Sequence, residues 1–137
     1  MATFKLVIGT KEGKCAQKEI SGDHANHLIG KRLGEKVSGH DLGFEGYEFE
    51  ITGGSDYCGF PMRKEIPGIL RKQIFATQGV GIKKVAPGIR IRKTVAGNTV
   101  HDKTVQINLK VIKEGKQKLV EEKPAEEKAE KAEKAAA

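Results

Sequence analysis

Alternating segments punctuated by glycine are the feature of this sequence that most restricts its fold. All 17 glycines lie at or before Gly115. Between them, apolar and polar residues alternate with the period of two that is typical of half-buried β-strands. The clearest example covers residues 105–112, where Val105, Ile107, Leu109 and Val111 share one face. Many short strands joined by tight turns predict an all-β fold, namely a small, mainly antiparallel, barrel-like domain with at most a short helix.

The same alternation predicts further strands. In the first of them Phe4, Leu6 and Ile8 point inward, and a turn leads from it into a second strand as a hairpin. The segment 69–76 is compatible with strand or helix, and its flanking turn residues favour strand. The predicted strands before the clearest one are 3–8, 15–20, 33–37, 47–52, 69–76 and 89–95.

One short helix is predicted over residues 24–29. Ser21 or Asp23 would cap its N-terminus, and Gly30 stands where a helix often ends on a left-handed residue.

The composition changes after residue 120. Residues 121–137 contain only Glu, Lys, Ala and a single proline, Pro124. Such a segment has too little apolar surface to build a core and is predicted to be a solvated tail, either disordered or a frayed helix. We therefore expect a β domain over 1–120 and a low-complexity tail over 121–137.

The positive charge is concentrated in the middle of the chain. The formal net charge is +7, and residues 63–93 hold nine Lys or Arg against one acidic residue. A merely solvated face is the alternative, but this density favours a surface that contacts nucleic acid. The nine predicted RNA-binding residues are Arg63, Lys64, Arg71, Lys72, Lys83, Lys84, Arg90, Arg92 and Lys93.

A tightly built loop precedes the basic segment. The alternation of residues 47–52 is expected to break at two glycines that permit positive φ angles, and the Ser and Asp that follow can hydrogen-bond neighbouring backbone. Phe60 and Met62 are the expected apolar anchors. A structural turn and direct RNA contact are equally compatible with this loop, whose residues include Gly53, Gly54, Ser55, Asp56, Gly59, Phe60, Pro61 and Met62.

The sequence offers no convergent catalytic or metal-binding cluster. Asp56 is interpreted as a turn-capping residue, because no second acidic group lies nearby in sequence. Cys15 and Cys58 are too few and too far apart for a zinc site, and His24 and His27 are assigned surface roles. We therefore predict no enzyme, no cofactor, no metal and no small-molecule substrate.

The chain shows neither a secretory signal nor an apolar run of spanning length. A soluble, cytoplasmic protein with no membrane partner is expected.

Base stacking is expected to be minor. Phe4, Tyr47, Phe49 and Phe75 occupy predicted inward positions, which leaves only Phe44 and Tyr57 in loops.

Four stretches carry a family resemblance. Residues 51–62 read Ile-Thr-Gly-Gly-Ser-Asp-x-x-Gly-Phe-Pro-Met, and supporting stretches occur at 28–31, at 92–98 and at 105–111. In this order they resemble the archaeal and eukaryotic family of the sixth small-subunit ribosomal protein, and the archaeal form is the closer match. Two features differ from many family members: Ile91 interrupts the basic run, and no Ser or Thr follows Thr104.

The resemblance implies a non-catalytic structural constituent of the small ribosomal subunit. Its implied partners are ribosomal RNA of that subunit and neighbouring ribosomal proteins, and its implied location is the ribosome in the cytoplasm. A free RNA chaperone or a small RNA-processing protein outside the ribosome is the alternative.

Overall fold

A computed structural model of the protein describes residues 2–83, 86–115 and 119. Lys84 and the predicted tail, residues 121–137, lie outside this part of the chain. The strands and the α-helix follow in order as β1 Thr3–Gly9, β2 Cys15–Ser21, α1 Asp23–Asn26, β3 Lys36–Ser38, β4 Glu48–Asp56, β5 Lys72–Ala76, β6 Ile91–Val95 and β7 Thr104–Lys113, with a 3-10 helix at His40–Leu42 between β3 and β4.

Five strands form one curled, half-barrel sheet in the order β2-β1-β7-β4-β3. Its pairs are antiparallel except for β1 and β7, which run parallel with Leu6 opposite Ile107. β5 and β6 form a separate two-stranded antiparallel ribbon. The predicted fold class, a mainly antiparallel and barrel-like β domain with one short helix, is confirmed.

The alternating residues of the sheet build the core on its concave side. Phe4, Leu6 and Ile8 of β1 are fully buried, as predicted. In β7, the buried apolar positions are Ile107, Leu109 and Val111, whereas Val105 is only half-buried. These two strands lie side by side, so their apolar faces combine into one surface without help from a large helix.

Aromatic rings close the core at the start of β4. Tyr47 and Phe49 stack with ring centroids 5.6 Å apart, and Phe44 meets Phe49 edge-on at 5.7 Å. Phe44 is only 8% exposed, so the expectation of an accessible loop aromatic is wrong there. Its loop folds back onto the sheet, and Nζ of Lys18 lies 4.2 Å from the centroid of the Phe44 ring.

The glycine pair of β4 also departs from expectation. The strand does not break at Gly53 but continues to Asp56, and neither Gly53 nor Gly54 has a positive φ. The pair instead allows a close approach to β7, because a Cβ at Gly54 would lie 2.5 Å from the carbonyl oxygen of Gln106. Irregular pairing between β4 and β7 on both sides of the glycines accompanies this contact.

The helix is shorter than predicted. α1 begins after Gly22, which has φ 71°, and no side chain caps it, so the predicted cap by Ser21 or Asp23 is wrong. Gly30 does take the predicted positive φ, and its N–H bonds the carbonyl oxygen of Val100 rather than the helix. This bond draws the chain out of the helix and across to the loop before β7.

Three strands begin a few residues later than the sequence predicted. β3 and β5 each begin later than predicted, at Lys36 and Lys72, and β6 begins at Ile91. At the other end of the domain, Leu119 packs against the core beyond the last strand. The predicted boundary at residue 120 remains a prediction.

Candidate nucleic-acid interface

The β5–β6 ribbon presents cations on both of its faces. Its register pairs Phe75 with Arg92 and Ile74 with Lys93. Successive residues of a strand point to opposite faces, so Arg92 and Lys93 lie on different sides of the ribbon. Lys72, by the same alternation, shares the side of Lys93. The ribbon thus holds positive charge in two directions rather than on a single flat surface.

Most of the predicted RNA-binding residues are available to a ligand. Seven of them are exposed, and within residues 2–83 and 86–115 six of these seven form no ion pair, Arg71 being the exception. An exposed cation without a carboxylate partner keeps its full charge for an external anion. For brevity we call these six residues the basic face, although Arg92 and Lys93 lie on opposite sides of the ribbon. They are Lys64, Lys72, Lys83, Arg90, Arg92 and Lys93.

Arg63 is committed inside the protein. Its side chain is only 9% exposed, and its guanidinium donates to Glu65 at 2.9 Å and to the carbonyl oxygen of Val80 at 3.3 Å. The guanidinium also packs against Gly79, where a Cβ would lie 3.0 Å from it. Arg63 therefore holds the turn at residues 79–82 against the domain, a role that its place in a run of cations did not reveal.

Asp56 organises the loop that the sequence singled out. Its Oδ1 accepts hydrogen bonds from the backbone N–H groups of Cys58 and Phe60, at 2.9 and 3.2 Å. The predicted turn-capping role of Asp56 is confirmed. Its Oδ2 accepts a hydrogen bond from Nε of Arg71 at 2.6 Å.

Arg71 links that loop to the basic segment. Its guanidinium lies over the rings of Tyr57 and Phe60, with centroid distances of 4.8 and 5.1 Å. Hydrogen bonding to Asp56, and to a lesser extent to Tyr57, raises the pKa of Arg71 above its ordinary value. The charge of Arg71 is thus held in place and partly neutralised, which distinguishes it from the basic face.

Three further loop residues pack within the domain. Met62 is buried as predicted, and its N–H bonds the carbonyl oxygen of Gly54 at 2.9 Å. Phe60 is half-buried beneath Arg71. Pro61 packs against Gly81, where a Cβ would lie 2.5 Å from its ring. The loop and the turn at 79–82 therefore form one packed unit.

Asn98 ties the basic face to the rest of the domain. Its side-chain oxygen accepts from the N–H of Gly68, and its Nδ2 donates to the carbonyl oxygen of Lys64. Next to it, a Cβ on Gly97 would lie 1.9 Å from the carbonyl oxygen of Gly68. Close backbone contact thus fixes the position of the segment that carries Lys64.

One exposed cation, Arg32, was not among the predicted RNA-binding residues. Arg32 forms a β-bridge with Thr99, and the N–H of Leu33 bonds the carbonyl oxygen of Asn98. This places Arg32 beside the strand-like segment that also supports Lys64. Its position in the acidic first half of the chain concealed it, although the resemblance at residues 28–31 had marked its neighbours.

An exposed aromatic side chain on the ribbon was also missed. Phe75 is 63% exposed, which corrects the prediction that it points inward. Within the described part of the chain nothing covers the Phe75 side of the ribbon, so alternation alone did not indicate burial there.

Metal chemistry finds no support in the part of the chain that the structure describes. No group of three His, Cys, Asp or Glu side chains there is arranged to hold an ion. His24 contacts the carbonyl oxygen of Asp41 through Nδ1 at 2.7 Å, which accounts for it without a metal. Both cysteines are free and exposed.

The described ranges contain no helix with the length and apolar character needed to cross a membrane.

Comparison with known proteins gives consistent matches over nearly the whole chain. The sequence model of the family described as Ribosomal protein S6e matches residues 4–123. A small ribosomal subunit protein eS6 from Methanothermobacter thermautotrophicus is 45% identical over 124 residues, which cover 90% of this chain and 93% of that protein. The protein of the same name from Nitrosopumilus maritimus is 41% identical over 133 residues, covering 97% and 94%.

A third relative of that name, from Archaeoglobus fulgidus, is 42% identical over 120 residues, or 86% of this chain and 93% of its own. The resemblance carried by residues 51–62 is confirmed, including its archaeal character. The family consists of structural ribosomal proteins and not of enzymes, as the resemblance implied. The chain belongs to the ribosomal protein S6e family.

Proposed function

We propose that this protein is a constituent of the small ribosomal subunit, where it binds ribosomal RNA through the basic face and supports subunit assembly and translation. The names of its relatives support the assignment to that subunit. The observation that carries the RNA-binding proposal is the set of six exposed cations that make no ion pair within the described part of the chain. Its partners are the RNA of the small subunit and neighbouring ribosomal proteins, in the cytoplasm of an archaeal cell.

The chemistry of the basic face suits folded RNA. Arginine guanidinium groups bind phosphate oxygens through two parallel hydrogen bonds, whereas lysines act as point charges. Arg92 and Lys93 lie on opposite sides of the ribbon. The ribbon is therefore better suited to insertion between two RNA backbone segments than to lying against one side of a duplex. RNA in a compact particle offers such converging backbones.

The test replaces Arg90, Arg92 and Lys93 together by Ala and measures binding to small-subunit ribosomal RNA over a range of salt concentrations. Each phosphate contact contributes roughly 0.7–0.9 to the slope of log affinity against log salt. The triple variant should therefore bind more weakly, with a slope smaller in magnitude by about 2.

A charge-matched control replaces three exposed lysines that lie outside the basic face, Lys11, Lys36 and Lys110, by Ala. It lowers the net charge by the same amount and should leave most of the slope in place. Equal slopes in both triple variants would show that net charge alone attracts the RNA, and the basic face would lose its role.

Sucrose-gradient sedimentation of cell extract tests the subunit assignment. The protein should travel in fixed proportion with the small subunit at low salt and leave it only at high salt. If it remains at the top of the gradient even at low salt, a free RNA chaperone or RNA-processing protein replaces the proposal.

A further inference from the structure

A shallow cleft opens beside Tyr57, between the loop at 56–60 and the turn that precedes β7. Its volume is about 340 Å³, a size that accommodates a flat ring system. None of its lining residues belongs to the basic face. The lining residues are Thr3, Tyr57, Asp102, Lys103, Thr104 and Val105.

Tyr57 is exposed and yet held in position. The residue is 57% exposed. The guanidinium of Arg71 lies 4.8 Å from the ring centroid, and Asp56 fixes Arg71 through the 2.6 Å hydrogen bond to Nε. The backbone N–H of Tyr57 also bonds the carbonyl oxygen of Lys103 at 3.0 Å. A ring that is already ordered loses little freedom when a second flat group stacks on it.

Two charged residues, Asp102 and Lys103, are among those that line the cleft. Asp102 and Lys103 are exposed, and neither forms an ion pair with the residues that the structure describes. A carboxylate accepts hydrogen bonds and repels phosphate, so Asp102 favours the N–H donors of a base edge. Lys103 supplies a cation for the phosphate next to such a base.

We propose that this cleft, the Tyr57 cleft, binds one unpaired nucleobase of the RNA, stacked on Tyr57 with its Watson–Crick edge toward Asp102. Guanine is the favoured base, because its N1–H and N2–H groups are adjacent donors that match the two oxygens of a carboxylate. The inference rests on the proposed RNA-binding function. It uses contacts that are separate from the basic face, so the two can fail independently.

Tyrosine fluorescence reports on the cleft directly. The chain has two tyrosines and no tryptophan, and Tyr47 is buried in the core. The full chain is titrated at low salt with the RNA pentamer UUGUU and, for comparison, with UUAUU, UUCUU and UUUUU. Stacking should quench the emission of Tyr57, with the tightest binding to UUGUU. In Tyr57→Phe the quenching should disappear while the affinity remains, because a phenyl ring still stacks.

Two substitutions separate stacking from edge recognition. Tyr57→Ala should weaken binding of UUGUU at least fivefold, the lower end of the range for loss of one base–aromatic stack. Asp102→Asn should reduce the ratio of affinities for UUGUU and UUUUU, and this ratio cancels the general effect of removing a negative charge. Thermal melting confirms that each variant is folded.

Unchanged pentamer affinity in Tyr57→Ala, or equal affinity for all four pentamers in the unsubstituted protein, would overturn the cleft proposal. If the Arg90, Arg92 and Lys93 triple variant still loses salt dependence, the proposed function survives that failure. If neither the triple variant nor Tyr57→Ala changes binding, both proposals are wrong.

Discussion

Arg71 donates a hydrogen bond of 2.6 Å from Nε to the carboxylate of Asp56, which lies fifteen residues earlier in the chain. The same carboxylate caps its own turn through two backbone N–H groups. One buried acid therefore joins the loop at 56–60 to Arg71, the residue directly before β5. The loop and the ribbon are positioned together rather than separately.

Substitution of Asp56 should show this double role. Asp56→Ala removes all three hydrogen bonds and should lower the free energy of unfolding by about 3 kcal/mol, since hydrogen bonds to a buried charged group are among the stronger ones. Asp56→Asn retains an oxygen for the two backbone donors but turns an amide N–H₂ toward Arg71, so its loss should be roughly half as large. Urea unfolding followed by circular dichroism measures both. Equal losses in the two variants would show that the turn contributes nothing separately.

The two glycines of β4 should respond very differently to alanine. A Cβ at Gly54 would lie 2.5 Å from the carbonyl oxygen of Gln106, so Gly54→Ala forces β4 and β7 apart and should cost about 2–3 kcal/mol. A Cβ at Gly53 finds only Asn108 Nδ2, at 3.9 Å. Because Gly53 has no positive φ, Gly53→Ala should leave stability unchanged or raise it by up to about 1 kcal/mol. Thermal melts of both variants decide the matter, and similar melting temperatures would contradict the close approach at Gly54.

Substitutions at Arg63 and Arg92 should affect stability and RNA binding separately. Arg63→Met keeps the volume of the buried stem but removes the bonds to Val80 and Glu65, which should lower stability by about 1–2 kcal/mol and leave the salt slope of RNA binding unchanged. Arg92→Ala should do the opposite, with a change of less than about 0.5 kcal/mol in stability and a shallower slope. A shallower slope in Arg63→Met would show that its charge reaches RNA despite its burial.

Two truncations should locate the end of the domain. Removal of residues 121–137 should leave the melting temperature unchanged, in line with the predicted boundary. Removal of residues 116–137 also deletes Leu119, which packs against the core, and should lower the melting temperature by roughly 4–8 °C for a loss of about 1 kcal/mol. A large decrease in the shorter truncation would show that the segment after residue 120 also stabilises the domain.

The sequence predicted the elements that obey a two-residue period. β1 alternates strictly and its buried residues match the alternation, whereas in β7 the match begins at Ile107. The predicted turn-capping by Asp56 also holds, because an aspartate followed closely by glycine makes its bonds within a few residues. Local chemistry of this kind is visible in the sequence itself.

The errors arose where distant residues decide the structure. Glycine is needed at position 54 because the carbonyl oxygen of Gln106, in another strand, leaves no room for a Cβ. Phe44 is buried because its loop folds onto Phe49. The buried bonds of Arg63 were not foreseen, because Val80 lies across a turn that the sequence showed only as irregular, and its contact with RNA stays a prediction. Phe75 alternates correctly, yet no described residue covers its ring on the ribbon. Each of these depends on tertiary proximity, which a local pattern does not contain.

The parallel pairing of β1 with β7 has a consequence for how the protein folds during its own synthesis. β7 lies between β1 and β4, so the sheet has no centre until the last strand has been made. Contacts between the two ends of a chain raise the contact order, and such topologies fold slowly. The cations of the basic segment are synthesised before β7 and are thus first present on a domain whose sheet is still incomplete.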